Sequence, residues 1–429
     1  MMLAKKIVEL RDRIVGLAPL KTYIPCDALY ESSAARCAYI LFLVDLIFMI
    51  RGYAVANLAE GLLFFCFLIS GALRTEFLKA LKDSTIMPLI LFYVWILLSC
   101  FWSLADWSAI FENWVDWRKI LLVPIGIVLL NNMQKAKIAL SVLVALGLIY
   151  LCVAMVDLIL AVQLWDRPYY RVAQDANIQG LYFVIVGSYF FLLCSTYDQS
   201  RFVMIILAAI GSLFFLMVVV FGISRSGYIS FLIAASILAV YFSRGRIVII
   251  GFIIICVTAV LGTSPNFGGR VEQALAELAV GAFSSEGSHT SGSIRAVMWF
   301  NTVEMILERP VLGTGAGGFE IGYGQIVDGV LGWRGVITDD PHSHYFHVWA
   351  EYGLIGMILF LLYQCRLFAA VKWQTPIGYL LGITILSCSV LAIFQGAFGS
   401  FAMGRLSFMF FTILFVISHF ERRERLSEL

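Results

Sequence analysis

Residues 202–221 read FVMIILAAIGSLFFLMVVVF, an apolar run without a single charged side chain. A helix needs about 20 mostly apolar residues to cross a bilayer, and this run has that length. Similar runs recur at 34–50, 54–73, 86–102, 120–130, 138–164, 178–197, 227–242, 247–263, 345–363, 376–397 and 406–420. They predict an all-α, polytopic membrane protein with about twelve transmembrane helices. The short run 120–130 is included because membrane helices tolerate a proline such as Pro124.

The composition excludes a soluble chain. Of 429 residues, 61% are hydrophobic and 14% are charged, and the mean hydropathy is +0.91. Soluble proteins have about 45–50% apolar and about 25% charged residues. The net charge of +2 is too balanced for a nucleic-acid partner, and none of the nine cysteines lies in the long polar segment, so we propose no disulfide framework. The composition predicts an inner-membrane protein with membrane lipids as its solvent.

The distribution of positive charge predicts the orientation. With the amino terminus inside, the inner segments hold 19 of the 30 lysines and arginines and the outer segments hold 11. Because positive residues favour the cytoplasmic side, both ends are expected there. This divides the chain into a cytoplasmic amphipathic segment (1–33), nine transmembrane helices (34–263), a periplasmic loop (264–341), three further helices (342–420) and a cytoplasmic tail (421–429).

The periplasmic loop, 264–341, is the one long polar stretch. It contains helical patterns at 271–279 and 294–307, separated by a serine- and glycine-rich connector, and the second pattern stops before Pro310. Loops of this length in a compact fold are usually functional or disordered. We expect two amphipathic helices that lie across the mouth of the helix bundle.

A glycine-rich stretch in this loop, Gly313-Thr314-Gly315-Ala316-Gly317-Gly318, matches the GxGxxG pattern. A dinucleotide site would need a strand before it and an acidic residue about 20 positions later. A helical pattern precedes it instead. We therefore expect a flexible turn that lets the backbone approach the membrane or a phosphate.

Three histidines, His342, His344 and His347, stand together after the loop. A zinc site is one hypothesis, but on a helix His342 and His344 point about 200° apart and only His344 and His347 share a face. For His347 we expect a hydrogen-bonded packing role. His342 is predicted to begin a membrane helix at the water boundary, where its imidazole is suited to general-base chemistry.

Arginines at the outer ends of membrane helices are the candidates for binding phosphate. A guanidinium beside hydrocarbon costs a few kcal/mol, and its fixed donors fit phosphate oxygens better than an ammonium does. Arg225 leads this set, with Arg171 and Arg295 secondary. Snorkelling to the interface is the alternative for any one of them. Arg309, before Pro310, is expected to be an exposed helix-end charge.

Two acids, Asp45 and Asp157, fall inside predicted spans. Acids in such places mark ion or proton routes in transporters, so a membrane transporter is the rival class. Both acids are expected to be isolated, without a charged partner in the membrane. Isolated acids make a poor proton relay.

Three motifs together resemble the O-antigen ligase and polymerase superfamily. The first is Ser224-Arg225-Ser226-Gly227 at a helix start. The second is Arg295 and Trp299 followed by Arg309-Pro310-Val311-Leu312-Gly313-Thr314-Gly315. The third runs from His342-Ser343 to Glu351-Tyr352-Gly353, with Ser343 in place of the more usual asparagine. The resemblance covers roughly 171–356.

The resemblance implies a bacterial glycosyltransferase that acts on lipid-linked glycans at the periplasmic face and requires no metal or other cofactor. The donor would be O-antigen on undecaprenyl diphosphate, and the acceptor of a ligase would be lipid A-core oligosaccharide. Arg225, Arg295 and Arg171 would hold the diphosphate, and His342 would be the base of a single, inverting displacement. An O-antigen polymerase and a protein O-oligosaccharyltransferase are the alternatives in the same superfamily.

The predicted orientation can be tested by labelling. A Ser288→Cys variant should react with a membrane-impermeant maleimide from the periplasmic side of intact cells. Failure to label without permeabilisation would overturn the orientation, and with it the reaction, because the carrier-linked glycan is used outside the cytoplasm.

Overall fold

The structure is a computed structural model that describes residues 23, 32–160, 173, 175–195, 200–221, 224–242, 291–330 and 335–427. These parts of the chain are helical and contain no β-strand. Most of the amphipathic segment 1–33, the run 247–263, the helix predicted at 271–279 and Arg171 lie outside the described residues.

The described residues form fifteen α-helices. In chain order they are α1 (Ser33–Phe48), α2 (Tyr53–Ile69), α3 (Gly71–Ala80), α4 (Met87–Leu98), α5 (Trp107–Trp117), α6 (Leu122–Leu129), α7 (Met133–Leu160), α8 (Ala176–Leu193), α9 (Arg201–Val219), α10 (Arg225–Phe242), α11 (Ser291–Glu308), α12 (Phe319–Val327), α13 (His344–Ala369), α14 (Pro376–Phe394) and α15 (Phe401–Ser427). Two short 3₁₀ helices, Ser99–Trp102 and Arg118–Leu121, extend α4 and precede α6.

Six of these helices, α7, α8, α9, α13, α14 and α15, are long and apolar enough to cross a membrane. The bent pair α2 and α3 would make a seventh if it is one span, and Met87–Trp102 and Ser226–Phe242 are shorter apolar helices. For the described residues, the predicted all-α class with several candidate spans is therefore confirmed. The number twelve stays a prediction.

Two of the apolar runs do not form simple spans. The run 54–73 bends by 102° between α2 and α3, because Ser70 adopts an extended conformation and its hydroxyl accepts a hydrogen bond from the Leu73 amide as an N-cap. The run 120–130 contributes only the eight residues of α6. At about 1.5 Å per residue this helix is roughly 12 Å long, less than half of the hydrocarbon core.

A small unit stands apart from the main apolar core. Helices α11 and α12 pack on the first turns of α13 through their own cluster of apolar side chains. The buried members are Met305, Ile306, Phe319, Tyr323, Val327 and Ala350. We call α11, α12 and the first turns of α13 the loop unit. The helix predicted at 294–307 is confirmed as α11.

A buried ion cluster joins the first helices to the last. Arg405 of α15, 1% exposed, donates to Asp45 of α1 at 3.0 Å and also to Glu60 of α2. Arg118 lies 3.2 Å from the second oxygen of Glu60. The amide oxygen of Asn57 accepts from Arg405 at 3.0 Å and from Arg118 at 2.6 Å. Two carboxylates and two guanidinium groups thus lie together, with Asp45, Glu60 and Arg405 buried and Arg118 22% exposed.

This cluster corrects one expectation. Asp45 was predicted to be isolated, but it contacts Arg405 and lies beside Glu60. The pairing joins positions 360 residues apart, so no local pattern reveals it. Asp157 is also buried, and its Oδ1 has no hydrogen-bond partner among the described residues.

Replacing the shared cation should unfold the bundle more easily. Arg405→Ala removes the buried cation that Asp45 and Glu60 share and leaves only the partly exposed Arg118 beside Glu60, so we expect a loss of about 3–5 kcal/mol in the free energy of unfolding. Denaturant unfolding in a mild detergent measures it. Arg36→Ala, at an exposed position of α1, is the control and should change stability by less than about 0.5 kcal/mol. Equal stability of the two variants would contradict a structural role for the cluster.

Candidate functional site

A break in α13 builds the floor of the candidate site. Gly353 interrupts the helix with φ of 68° and ψ of −173°. In a continuous helix the carbonyls of Ala350 and Glu351 would accept from amides four residues later. Here they accept from the amides of Thr314 at 3.0 Å and Gly315 at 2.8 Å. The glycine-rich stretch is therefore hydrogen-bonded to the backbone that the break exposes.

The expectation that this stretch approaches a phosphate is wrong. Each of its six amides donates within the protein, to Arg309 O, Ala350 O, Glu351 O, Ser99 Oγ, Glu351 Oε1 and Gly315 O in order from Gly313 to Gly318. The glycines predict a close approach of the backbone, and the structure shows one. The groups that the backbone approaches belong to the protein itself. A Cβ at Gly315 would overlap the backbone of Ser103. The stretch is a structural clasp.

Glu351 connects the clasp to the helices around it. Its buried carboxylate accepts from Asn113 Nδ2 at 2.9 Å and from the Gly317 amide at 2.6 Å. Its second oxygen lies 3.0 Å from His347 Nε2. Tyr352 donates to the amide oxygen of Asn113 at 2.9 Å, so α5 and α13 are joined at this point. The sequence reasoning noted Glu351 only as part of a motif and missed Asn113, which no local pattern marks.

His342 stands before α13 and does not begin it. The helix starts at His344, and Ser343 at its N-cap position makes no side-chain capping bond. Among the described residues, His342 is the one non-glycine with a positive φ, 53°. Its amide donates to Asp340 Oδ1 at 2.8 Å, and its Nδ1 lies 3.9 Å from Asp340 Oδ2. A residue held in this conformation costs about 1–3 kcal/mol and is frequently found at active sites.

The other two histidines have different surroundings. His344 is buried against the rings of Trp117, Phe360 and Phe398, at 5.6, 5.1 and 5.4 Å between centroids. His347 pairs with Glu351, as expected of a hydrogen-bonded packing residue. In the part of the chain that the structure describes, no three histidine, cysteine, aspartate or glutamate side chains are grouped so that they could hold a metal ion.

Trp299 brings Arg295 to the neighbourhood of His342. The indole of Trp299 donates to the carbonyl of Pro341 at 3.0 Å, immediately before His342. Arg295 lies one helical turn before Trp299 on the same side of α11, about 6 Å along the axis. The half-buried Arg295 and the exposed His342 therefore belong to one region.

The start of α10 lies at the same end of the bundle. Rings of Tyr241 in α10 and Tyr379 in α14 are 4.6 Å apart, where one helix ends and the other begins. The two helices are therefore antiparallel, and Arg225 and Phe394 each lie about four turns from that contact. The ring of Phe394 is 6.3 Å from that of Trp299. The backbone of Arg225 is thus at the end that holds Arg295 and His342.

Packing fixes the place where α10 begins. Ser224, just before Arg225, donates its hydroxyl to the amide oxygen of Asn177 at the start of α8. One turn further, a Cβ at Gly180 would lie 2.9 Å from the Cα of Gly227, so the two helices cross in close contact. Asn177 follows Arg171 by six positions in the sequence. Arg171 itself lies outside the described residues.

Lys119 holds the α14–α15 loop behind Asp340. Its ammonium donates to the carbonyls of Gly399 and, at 3.1 Å, Ser400. In the same loop a Cβ at Gly396 would lie 2.7 Å from Asp340 Oδ2. Burial lowers the pKa of Lys119 to about 7, against the opposing effect of the Asp116 carboxylate. No local pattern in the sequence marks Lys119 for this role.

Gly315 should not accept a side chain. Gly315→Ala would both force a left-handed conformation, φ of 79°, and overlap Ser103. Gly329 has a similar φ of 75° but open space around it, so Gly329→Ala is the matched control. We expect about 1–2 kcal/mol of destabilisation at Gly329 and clearly more at Gly315. Unfolding in detergent measures both, and equal losses would show that the close approach is unimportant.

Comparison with known proteins gives a match to the part of the chain that contains these residues. A family model described as O-antigen ligase matches residues 210–361. No curated protein matches the chain. The matched stretch contains Arg225, Arg295, the glycine-rich clasp, His342 and Glu351, and it excludes Arg171. This part of the chain, 210–361, is therefore similar to the O-antigen ligase family.

Proposed function

We propose that this protein moves O-antigen polysaccharide from undecaprenyl diphosphate to lipid A-core oligosaccharide at the periplasmic face of the bacterial inner membrane. The observation that carries the proposal is the hydrogen bond from Trp299 to Pro341, which joins the helix of Arg295 to the segment of His342. The start of α10 at Arg225 lies at the same end of the bundle. The family match supports a membrane enzyme of the ligase or polymerase type.

The arginines supply what the leaving group needs. When the bond between the anomeric carbon and the phosphate oxygen breaks, negative charge develops on undecaprenyl diphosphate. Guanidinium groups held in place stabilise that charge, and removing one such donor typically costs 10²–10³-fold in rate. Arg225 and Arg295 are proposed to hold the diphosphate, with Arg171 as a third contact. No cofactor is proposed.

His342 is proposed as the general base. It removes the proton from the acceptor hydroxyl as the oxygen attacks the anomeric carbon, and a single displacement inverts that centre. The side chain of His342 is 46% exposed, so an acceptor sugar can reach it. Asp340 is the positioning residue, because it accepts the His342 amide and lies beside the imidazole.

The residues should divide into two groups by kinetics. His342→Ala should retain most affinity for undecaprenyl diphosphate and lose turnover, because a base contributes mainly in the transition state. Arg225→Ala and Arg295→Ala should lose both, and Arg225→Lys should recover only part, because one ammonium cannot reproduce the guanidinium fork. Arg309→Ala, at an exposed helix end, is the matched arginine control and should behave as the wild type.

The assay uses purified protein with lipid-linked glycan and lipid A-core, without an ion gradient, alongside binding of undecaprenyl diphosphate to each variant. No product from the wild type would favour a carrier. If His342→Ala abolishes donor binding as fully as Arg225→Ala does, His342 belongs to the diphosphate site. The lipopolysaccharide of a deletion strain separates ligase from polymerase: bare core indicates a ligase, and core capped by one repeat indicates a polymerase.

A further inference from the structure

Helix α11 carries two different edges on its exposed side. Phe300, Val303 and Leu307, which are 52%, 38% and 72% exposed, fall within about 60° of the helix circumference. Glu304 and Glu308, also exposed, occupy the adjoining arc. We call the first three residues the apolar edge and the two glutamates the acidic edge. The opposite side of α11 is already used, since Met305 and Ile306 pack into the loop unit.

The apolar surface continues past the end of α11. Val311 and Leu312 follow in the sequence and are 51% and 43% exposed. The carbonyl of Leu312 accepts from Trp102 Nε1 at 2.9 Å. The carbonyl of Pro310 accepts from the Leu354 amide at 2.9 Å. Both hydrogen bonds attach this segment to the ends of apolar helices.

Those two helices expose stripes suited to lipid. Along Met87–Trp102 the exposed apolar residues recur at helical spacing on one face, namely Met87, Leu91, Val94, Leu98 and Phe101. In α13 the exposed large apolar residues after the break are Leu354, Ile355, Ile358 and Leu361. Both stripes end where Trp102 and Leu354 hold the 310–312 segment. Indoles at such a level are typical of a membrane–water interface.

The position of the apolar edge beside these two stripes indicates that lipid covers it. A stripe on a membrane span faces hydrocarbon, and exposed apolar side chains lead from these stripes through Leu312 and Val311 to Leu307, with the exposed Glu308 and Arg309 between Leu307 and Val311 in the sequence. A helix with an apolar edge beside an acidic edge lies in the interface plane, with the apolar side several ångströms deep. The two glutamates then face water. A protein partner would not explain why the surface joins the stripes of two spans.

We propose that the apolar edge of α11, formed by Phe300, Val303 and Leu307, is immersed in the hydrocarbon of the outer leaflet, so that the loop unit is an interfacial module. By helical geometry Arg295 lies about 110° around α11 from the middle of this edge, on the side of Met305 and Ile306 that packs into the loop unit. If the proposed function holds, the lipid chain of the donor stays in the leaflet that holds this edge while its diphosphate reaches the loop unit.

Cysteine accessibility tests the immersion. Val303→Cys and Leu307→Cys are compared with Glu304→Cys and Glu308→Cys, in the full chain reconstituted at one copy per lipid nanodisc. A water-soluble maleimide is applied and each site is read by peptide mass, with the exposed native Cys152 of α7 as the lipid-facing reference. We expect the apolar-edge sites to react roughly tenfold or more slowly than the acidic-edge sites, because a thiolate does not form in hydrocarbon.

Equal labelling of the four sites would overturn the proposal. So would protection that appears only when two copies share a disc, since a second copy of the chain would then be the cover. The measurement needs no enzymatic turnover. A wild type that transfers no glycan but retains the labelling difference would therefore refute the proposed function and leave the immersion standing.

Discussion

A backbone carbonyl in or near lipid must find its hydrogen bond within the protein, because hydrocarbon offers none. The break at Gly353 creates this problem in the middle of α13, and the glycine-rich clasp answers it. The clasp brings its amides to the exposed carbonyls, and its close packing requires glycine at positions where a Cβ would overlap neighbouring backbone. From this contact the loop unit gains its position, and with it α11, Arg295 and the segment that ends at His342. The candidate site therefore depends on the break in α13 and on the hydrogen bonds that the carbonyls at this break accept.

The buried charges of the ion cluster, like the carbonyls at the break in α13, find their partners within the protein. The cluster of Arg405, Asp45, Glu60 and Arg118 pairs each buried ion with an opposite one, and the amide oxygen of Asn57 accepts a hydrogen bond from both guanidinium groups. Removing one member is costly because its partners keep their charge in a medium of low dielectric. Lys119, close to this cluster, is bonded to carbonyls of the α14–α15 loop, which lies against Asp340. The polar interior thus supports the loop that borders the candidate site.

The sequence allowed the helical class, the position of α11 and the region of the family motifs to be predicted, because hydrophobic periodicity and proline placement act locally. It did not allow the partner of Asp45 to be predicted, since Arg405 lies at the other end of the chain. The glycine-rich stretch was misread for a related reason: its glycines do indicate a close backbone approach, but what they approach is decided by tertiary structure. The partners of Asn113, Glu351 and Tyr352, are likewise decided by tertiary structure. The bend at Ser70 was visible only as a serine inside an apolar run.

The interruption of α13 also has a mechanical consequence. A continuous helix of 26 residues would be a rigid rod about 39 Å long. Bilayers differ in thickness, and helices respond by tilting. A rigid rod would carry such a tilt from the membrane into the segment that precedes it, where His342 stands. The break at Gly353 divides α13, and the clasp is fixed to the turns before the break. The part of α13 after Gly353 can therefore tilt with the bilayer, while the turns before Gly353 keep their alignment with α11. The segment that holds His342 is thereby uncoupled from changes in bilayer thickness.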